Sequence, residues 1–178
     1  MKKYYIFDLD GTLADSMGYW YGDFPLEGVP AIERMNEIRR IMYRNYAEVI
    51  KPKPGAVELL ERLKAAGAVM CIASATDKWV SEPFMEKFGL NRFFEFYIDC
   101  TEVRARKDDP EIYLEAARRL GADISECVVA EDAAYCAETA HNAGFFVVGI
   151  YDENTAPRGD VSEFSDCFIT SLDDFPVL

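Results

Sequence analysis

Tyr4-Tyr5-Ile6-Phe7-Asp8-Leu9-Asp10-Gly11-Thr12 decides how this chain folds. Four apolar residues in a row read as a short strand buried on both faces, and two carboxylates wait where it stops. Side chains two apart on a strand share a face, and a turn at Asp8 lets Asp8 and Asp10 converge on one reacting group. Gly11 and Thr12 suit that turn. Two acids at the mouth of an apolar strand cost several kcal/mol in desolvation and repulsion unless a cation sits between them. A divalent ion is the economical partner.

Working outward, short apolar runs near 3–8, 68–73, 93–98, 126–130 and 145–150 read as strands. Helical patterns fill the gaps. Residues 54–67 place Val57, Leu59, Leu60 and Leu63 at helical spacing and stop at Gly67, and similar patterns run over 78–88, 110–120 and 133–143. This alternation predicts an α/β fold: a three-layer, Rossmann-like parallel sheet with helices on both faces and ligand groups at the carboxyl ends of the strands.

Each later candidate does fall just after a predicted strand. Ser74-Ala75-Thr76-Asp77 offers a hydroxyl and free amides at a helix start, which suits a phosphate. Taken alone, it reads more readily as a helix cap at Thr76 or Asp77. Lys107 follows the third strand in Arg104-Ala105-Arg106-Lys107-Asp108-Asp109-Pro110, where a solvated loop lysine is the plain alternative. Glu131-Asp132 follows the fourth, and adjacent acids there again ask for a cation, although a helix start also favours acids.

Composition narrows the partners. The 178 residues are half apolar, enough for one sizeable core, and the formal net charge is -13. That field repels phosphate backbones, so neither nucleic acid nor an anionic membrane is expected as a partner. It also burdens any phosphate site, because one carboxylate ~4 Å from a dianion is opposed by roughly 8 kcal/mol at an effective dielectric of about 20. Local cations must offset this. No stretch reads as a membrane span or a secretory signal, so a soluble, cytoplasmic protein is expected. The five cysteines form no Cys-x-x-Cys pair and read as reduced packing residues. His141 is the lone histidine, which leaves metal binding to oxygen ligands and favours Mg2+.

With these stretches in hand, the chain resembles the haloacid dehalogenase-like hydrolases, whose first motif is Asp-x-Asp-x-Thr after an apolar strand. Within that family it is most similar to the branch that includes phosphoglycolate phosphatases and beta-phosphoglucomutases. The resemblance implies that Asp8 is the nucleophile and Asp10 the general acid and base. It implies that Ser74, Ala75 and Lys107 hold the substrate phosphate, with Lys107 also the charge partner of Asp8. It further implies that Asp8, Asp10, Glu131 and Asp132 form the Mg2+ site. Asp108 stands where the family usually has the first proline of its third motif, and Ala133 where it often has serine.

The segment after the first motif departs most from that pattern. The expected division is a core of residues 1–15 and 54–178 with a shortened helical cap at 16–53, only 38 residues and too few for a core of their own. Residues 30–50 read as a helix with Ile32, Met35, Ile38, Met42 and Val49 on one side. The aromatic stretch from Tyr19 to Phe24 is expected to anchor this cap to the body or to a second copy of the chain, giving a homodimer; lining a substrate pocket is the alternative. Arg34, Arg39, Arg40 and Arg44 read as a solvated face paired with Glu33, Glu37 and Glu48, or else one of them reaches a second anionic group of the substrate.

The expected activity is Mg2+-dependent hydrolysis of a small phosphate monoester through a phospho-aspartate on Asp8. A sugar phosphomutase shares every motif but needs a cap that excludes water. A non-catalytic binding protein on the same fold is the other alternative.

Overall fold

The computed structural model describes residues 2–178. Strand β1 (Tyr4–Phe7) lies at the centre of a six-stranded, all-parallel sheet. On one side it pairs with β2 (Val69–Ser74), which carries β3 (Phe94–Asp99) at the edge. On the other it pairs with β4 (Cys127–Glu131), followed by β5 (Phe146–Ile150) and β6 (Cys167–Ile169). The order is β3-β2-β1-β4-β5-β6.

Alternation along β1 sorts its side chains between two layers, as a strand buried on both faces requires. Tyr5 and Phe7 enter a core with Leu59, Leu60 and Leu63 of α3 (Ala56–Ala65) and with Val80 and Phe84 of α4 (Lys78–Lys87). Ile6 faces the other way, onto Ile112, Tyr113 and Ala116 of α6 (Glu111–Leu120) and Ala137 and Ala140 of α7 (Ala134–Asn142). The three-layer fold read from the sequence is the observed one.

All five predicted strands are present, and β6 is an addition. Its three residues are too few to carry a readable pattern; the strand forms because Gly149, Ile150 and Val148 of β5 offer it a free edge. The predicted helices are likewise present, and a one-turn helix α5 (Cys100–Val103) follows β3. Between β1 and α3 lie a short helix α1 (Met17–Trp20) and the long α2 (Ala31–Glu48). Helix α2 packs along α4 and roots its second half in the main core, where Met42, Tyr46 and the following Ile50 are fully buried. Its first half is free: Ile32 is 89% exposed and Met35 53%.

No helix among the described residues is long and apolar enough to cross a membrane. All five cysteines are unpaired, and Cys71, Cys127 and Cys136 are buried.

If α2 bears on the stability of the whole domain, Met42→Ala should lower the unfolding free energy by about 2–4 kcal/mol, read from urea denaturation. A loss under about 0.5 kcal/mol would mean that α2 can come away without disturbing the core.

Candidate active site

The carboxyl ends of β1, β2 and β4 form one rim, with β1 between the other two. Asp8 follows β1 and continues its ladder, its amide donating to Ala130 O at 3.0 Å. Glu131 ends the adjacent β4, and Asp132 follows it. Asp8, Glu131 and Asp132 are buried, and one carboxylate oxygen from each lies within 4.8 Å of the other two.

Lys107 reaches this rim from the loop before α6. Its Nζ donates to Asp8 Oδ1 at 2.5 Å and to Glu131 Oε1 at 2.6 Å. Tyr113, in the first turn of α6, donates its hydroxyl to the same Glu131 oxygen at 2.7 Å and holds its ring 5.6 Å from the Lys107 ammonium. Burial alone would pull the ammonium down, but Asp8 and Glu131 carry its pKa above the usual lysine range. It stays charged.

Three carboxylates facing one ammonium leave an excess of negative charge. Burial pushes the Asp8 carboxyl up, against the pull of Lys107 and with the neighbouring acids adding to the rise. Asp132 is pushed up to about 8, by burial first and then by Glu131. Among the described residues, the only buried side-chain polar atoms without a partner are Glu131 Oε2 and Asp132 Oδ2. Unpaired buried carboxylate oxygens are costly. Oxygen donors with two unused atoms and an uncompensated charge fit a hard metal cation.

The approach of Gly11 to this group is equally tight. With φ at +77° its backbone already suits glycine, and a Cβ there would sit 2.2 Å from Asp132 Oδ2. Thr12, fully buried, sends its hydroxyl toward Asp132 Oδ1 at 3.4 Å.

Asp10, expected with Asp8, Glu131 and Asp132 in one Mg2+ site, is not in the close group that the other three carboxylates form. Its Oδ1 accepts from Ser16 Oγ at 2.5 Å, from Trp20 Nε1 at 3.2 Å and from the Tyr46 hydroxyl, while Oδ2 accepts from Thr76 Oγ1 at 2.7 Å. Four donors from three segments therefore fix this carboxylate. Asp10 still lines the reaction cavity, a pocket of about 80 Å³ shared with Asp8, Ala75, Lys107, Glu131 and Asp132.

Ser74 differs from the expectation as well. It is fully buried, its Oγ accepts the Thr76 amide at 3.1 Å, and it is not among the residues lining the cavity. Ala75 forms that wall instead. The turn closes inward because Thr76 is drawn to Asp10, and the helix cap read at Thr76 or Asp77 is Asp77 without a side-chain capping bond. The Asp77 carboxylate pairs with Arg39 of α2 and accepts from Thr101 Oγ1 at 2.6 Å.

Trp20, Tyr46, Thr76 and Tyr113 were not among the expected site residues. Trp20 packs against the core, and its indole donates to Asp10.

A family model described as haloacid dehalogenase-like hydrolase matches residues 17–144, well over half of the chain. The match begins after the Asp8–Thr12 motif, so that motif is an independent sign of the same family. The chain belongs to the haloacid dehalogenase-like hydrolases. It is 32% identical over 121 residues to the Arabidopsis thaliana haloacid dehalogenase-like hydrolase domain-containing protein At4g39970; the match covers 64% of this chain but spans only 38% of that protein. It is 29% identical over 187 residues to Hexitol phosphatase A of Escherichia coli, covering 88% and 86% of the two chains. In fold it is similar to CbbY from Rhodobacter sphaeroides, solved in complex with phosphate, with a TM-score of 0.82 at 20% identity over 98% of this chain and 96% of that one.

A cation held by the acid trio stabilises the folded state by mass action. Mg2+ at about 100 times its dissociation constant should raise the melting temperature by roughly 5–10 °C, reversed by EDTA. Asp132→Asn should remove most of that shift; an equal shift in the variant would place the ion elsewhere.

Proposed function

We propose that this chain is a Mg2+-dependent phosphatase that hydrolyses a small phosphate monoester through a phospho-aspartate on Asp8, with residues 16–53 as a short cap on the core. The observation that carries this reading is the buried linkage of Asp8, Lys107 and Glu131 beside the unpartnered oxygens of Glu131 and Asp132. A fold serving only as a scaffold gains nothing from acids buried at this cost.

Lys107 holds Asp8 in place and supplies positive charge to the incoming phosphoryl group, with the Ala75 segment as the facing wall. Asp8, Glu131 and Asp132 would hold Mg2+, which when bound neutralises part of the charge shared by carboxylates and phosphate. An Asp8 oxygen attacks phosphorus, the bond from phosphorus to the ester oxygen breaks, and that oxygen leaves with a proton from Asp10. Water then attacks the phosphorus of the phospho-aspartate while Asp10 takes a proton from it, freeing inorganic phosphate and regenerating Asp8. Oδ1 of Asp10 is filled by three donors, so Oδ2, which meets Thr76 alone, is the atom suited to carry the proton.

The open flank of the site supports water as acceptor over a sugar. Tyr21, which lines the reaction cavity, is 40% exposed, and Ile32 and Met35 near the start of α2 are 89% and 53% exposed. A mutase must exclude water from its phosphorylated intermediate.

Asp8→Asn should keep the fold by circular dichroism and lose phosphate release by at least about 10³-fold. Turnover near that of the wild type would end the nucleophile assignment. Tyr46→Phe should lower kcat by about tenfold or more with KM little changed, because it removes a donor that orients Asp10 without reaching substrate. An unchanged kcat would make Tyr46 a packing residue only.

A further inference from the structure

A second cavity, of about 340 Å³, opens beside the reaction cavity and shares Asp10, Met17, Tyr21 and Ala75 with it. The smaller space, at about 80 Å³, suits a phosphoryl group; the larger one lies on the Asp10 side, where the ester oxygen leaves. Its walls are Met17, Trp20, Met35 and Val80, contributed by α1, α2 and α4.

Most polar groups in these walls are already bonded within the protein, the Tyr21 hydroxyl and one outer nitrogen of Arg39 being the exceptions. Thr76 donates to Asp10, the Trp20 indole donates to Asp10 and to the Tyr46 hydroxyl, and Asp77 is held by Arg39 and Thr101. Hydroxyls of a polyol would meet few free partners on these walls. A second anionic group gains no net charge from Arg39, because Asp77 neutralises it. The other arginines of α2 turn elsewhere: Arg34 donates to Val29 O, Arg40 pairs with Glu37, and Arg44 lines a separate groove with Tyr43 and Trp79. An indole, two thioethers and a valine form a surface for a flat apolar ring.

Resting on the phosphatase reading, we propose that this groove is the leaving-group subsite and that it selects an uncharged planar ring, so that the substrates are phosphate esters of aromatic or similarly flat apolar alcohols rather than sugar phosphates.

Binding separates this proposal from the reading beneath it, since it needs no turnover. Calorimetric titration of the full chain with Mg2+ present should show 1-naphthylmethylphosphonate, which cannot be hydrolysed, binding at least about tenfold tighter than methylphosphonate. Met35→Glu, on the exposed rim where the fold does not depend on it, should bring the two dissociation constants to within about threefold. In turnover, kcat/KM for 1-naphthyl phosphate should exceed that for sorbitol 6-phosphate by about tenfold or more, and Met35→Glu should shrink that ratio. Equal affinity for the two phosphonates, or a preference for the sorbitol ester, would overturn the subsite. Tight naphthyl binding that Met35→Glu weakens, with no phosphate released from any ester, would keep the subsite and overturn the phosphatase.

Discussion

One ammonium group organises this molecule's chemistry. The Lys107 Nζ lies between Asp8 on the central strand and Glu131 on its neighbour, in a place from which water is almost absent. Burial there works against a lone charge, and the two acids keep the lysine protonated. The same contacts tie the carboxyl ends of β1 and β4 to the loop before α6. The balance is incomplete: Asp132 adds a third acid, and Lys53, the base that acts on it, is already paired with Asp152, so the site carries both a spare charge and spare oxygen atoms. A metal ion answers both at once, which a rearranged hydrogen bond would not.

That arrangement depends on the fold in a specific way. Parallel strands end together, so groups far apart in sequence meet along one rim, and the rim is where buried backbone gives way to side chains that can face a ligand. Asp8 and Asp132 are 124 positions apart, yet they stand on adjoining strand ends. Gly11 makes the last part of the approach, because any larger residue would press a carbon onto the Asp132 carboxylate. The turn that looks like a simple chain reversal in sequence is therefore a spacing element of the acid cluster.

What could be read from the sequence follows the same division. Strands β1, β2, β4 and β5 announce themselves because burial on both faces demands apolar runs, and β3 is a half-exposed edge strand interrupted by Glu95. The acids of the rim stand out as charge placed directly after an apolar strand, whereas Lys107 alone reads equally as a loop lysine. The second layer of the site carries no such signature. Tyr46 sits in an amphipathic helix 36 positions beyond Asp10 and reads as a core residue, which it also is. Thr76 reads as a helix cap until Asp10 is placed opposite its hydroxyl, and that same attraction turns Ser74 inward and leaves Ala75 at the cavity. Such roles depend on pairings that only the folded chain defines. Strand β6 is missed for a different reason, since three residues have no period to detect.

In the proposed reading, the cap of residues 16–53 is a wall rather than a lid. Freeing α2 from the body would expose Met42 and Tyr46, at about 1.5–3 kcal/mol for each side chain, and would break the pairing of Arg39 with Asp77. It would also withdraw the Tyr46 hydroxyl from Asp10, so the same movement that opened the groove would loosen the proton-handling carboxylate. Cap and chemistry are thereby coupled through one phenol. A larger cap with a core of its own can swing without this penalty; a segment of 38 residues that borrows the core of its host cannot. In the proposed reading, specificity then rests on the shape and polarity of the groove between α1, α2 and α4, which Met35 lines from the exposed start of α2.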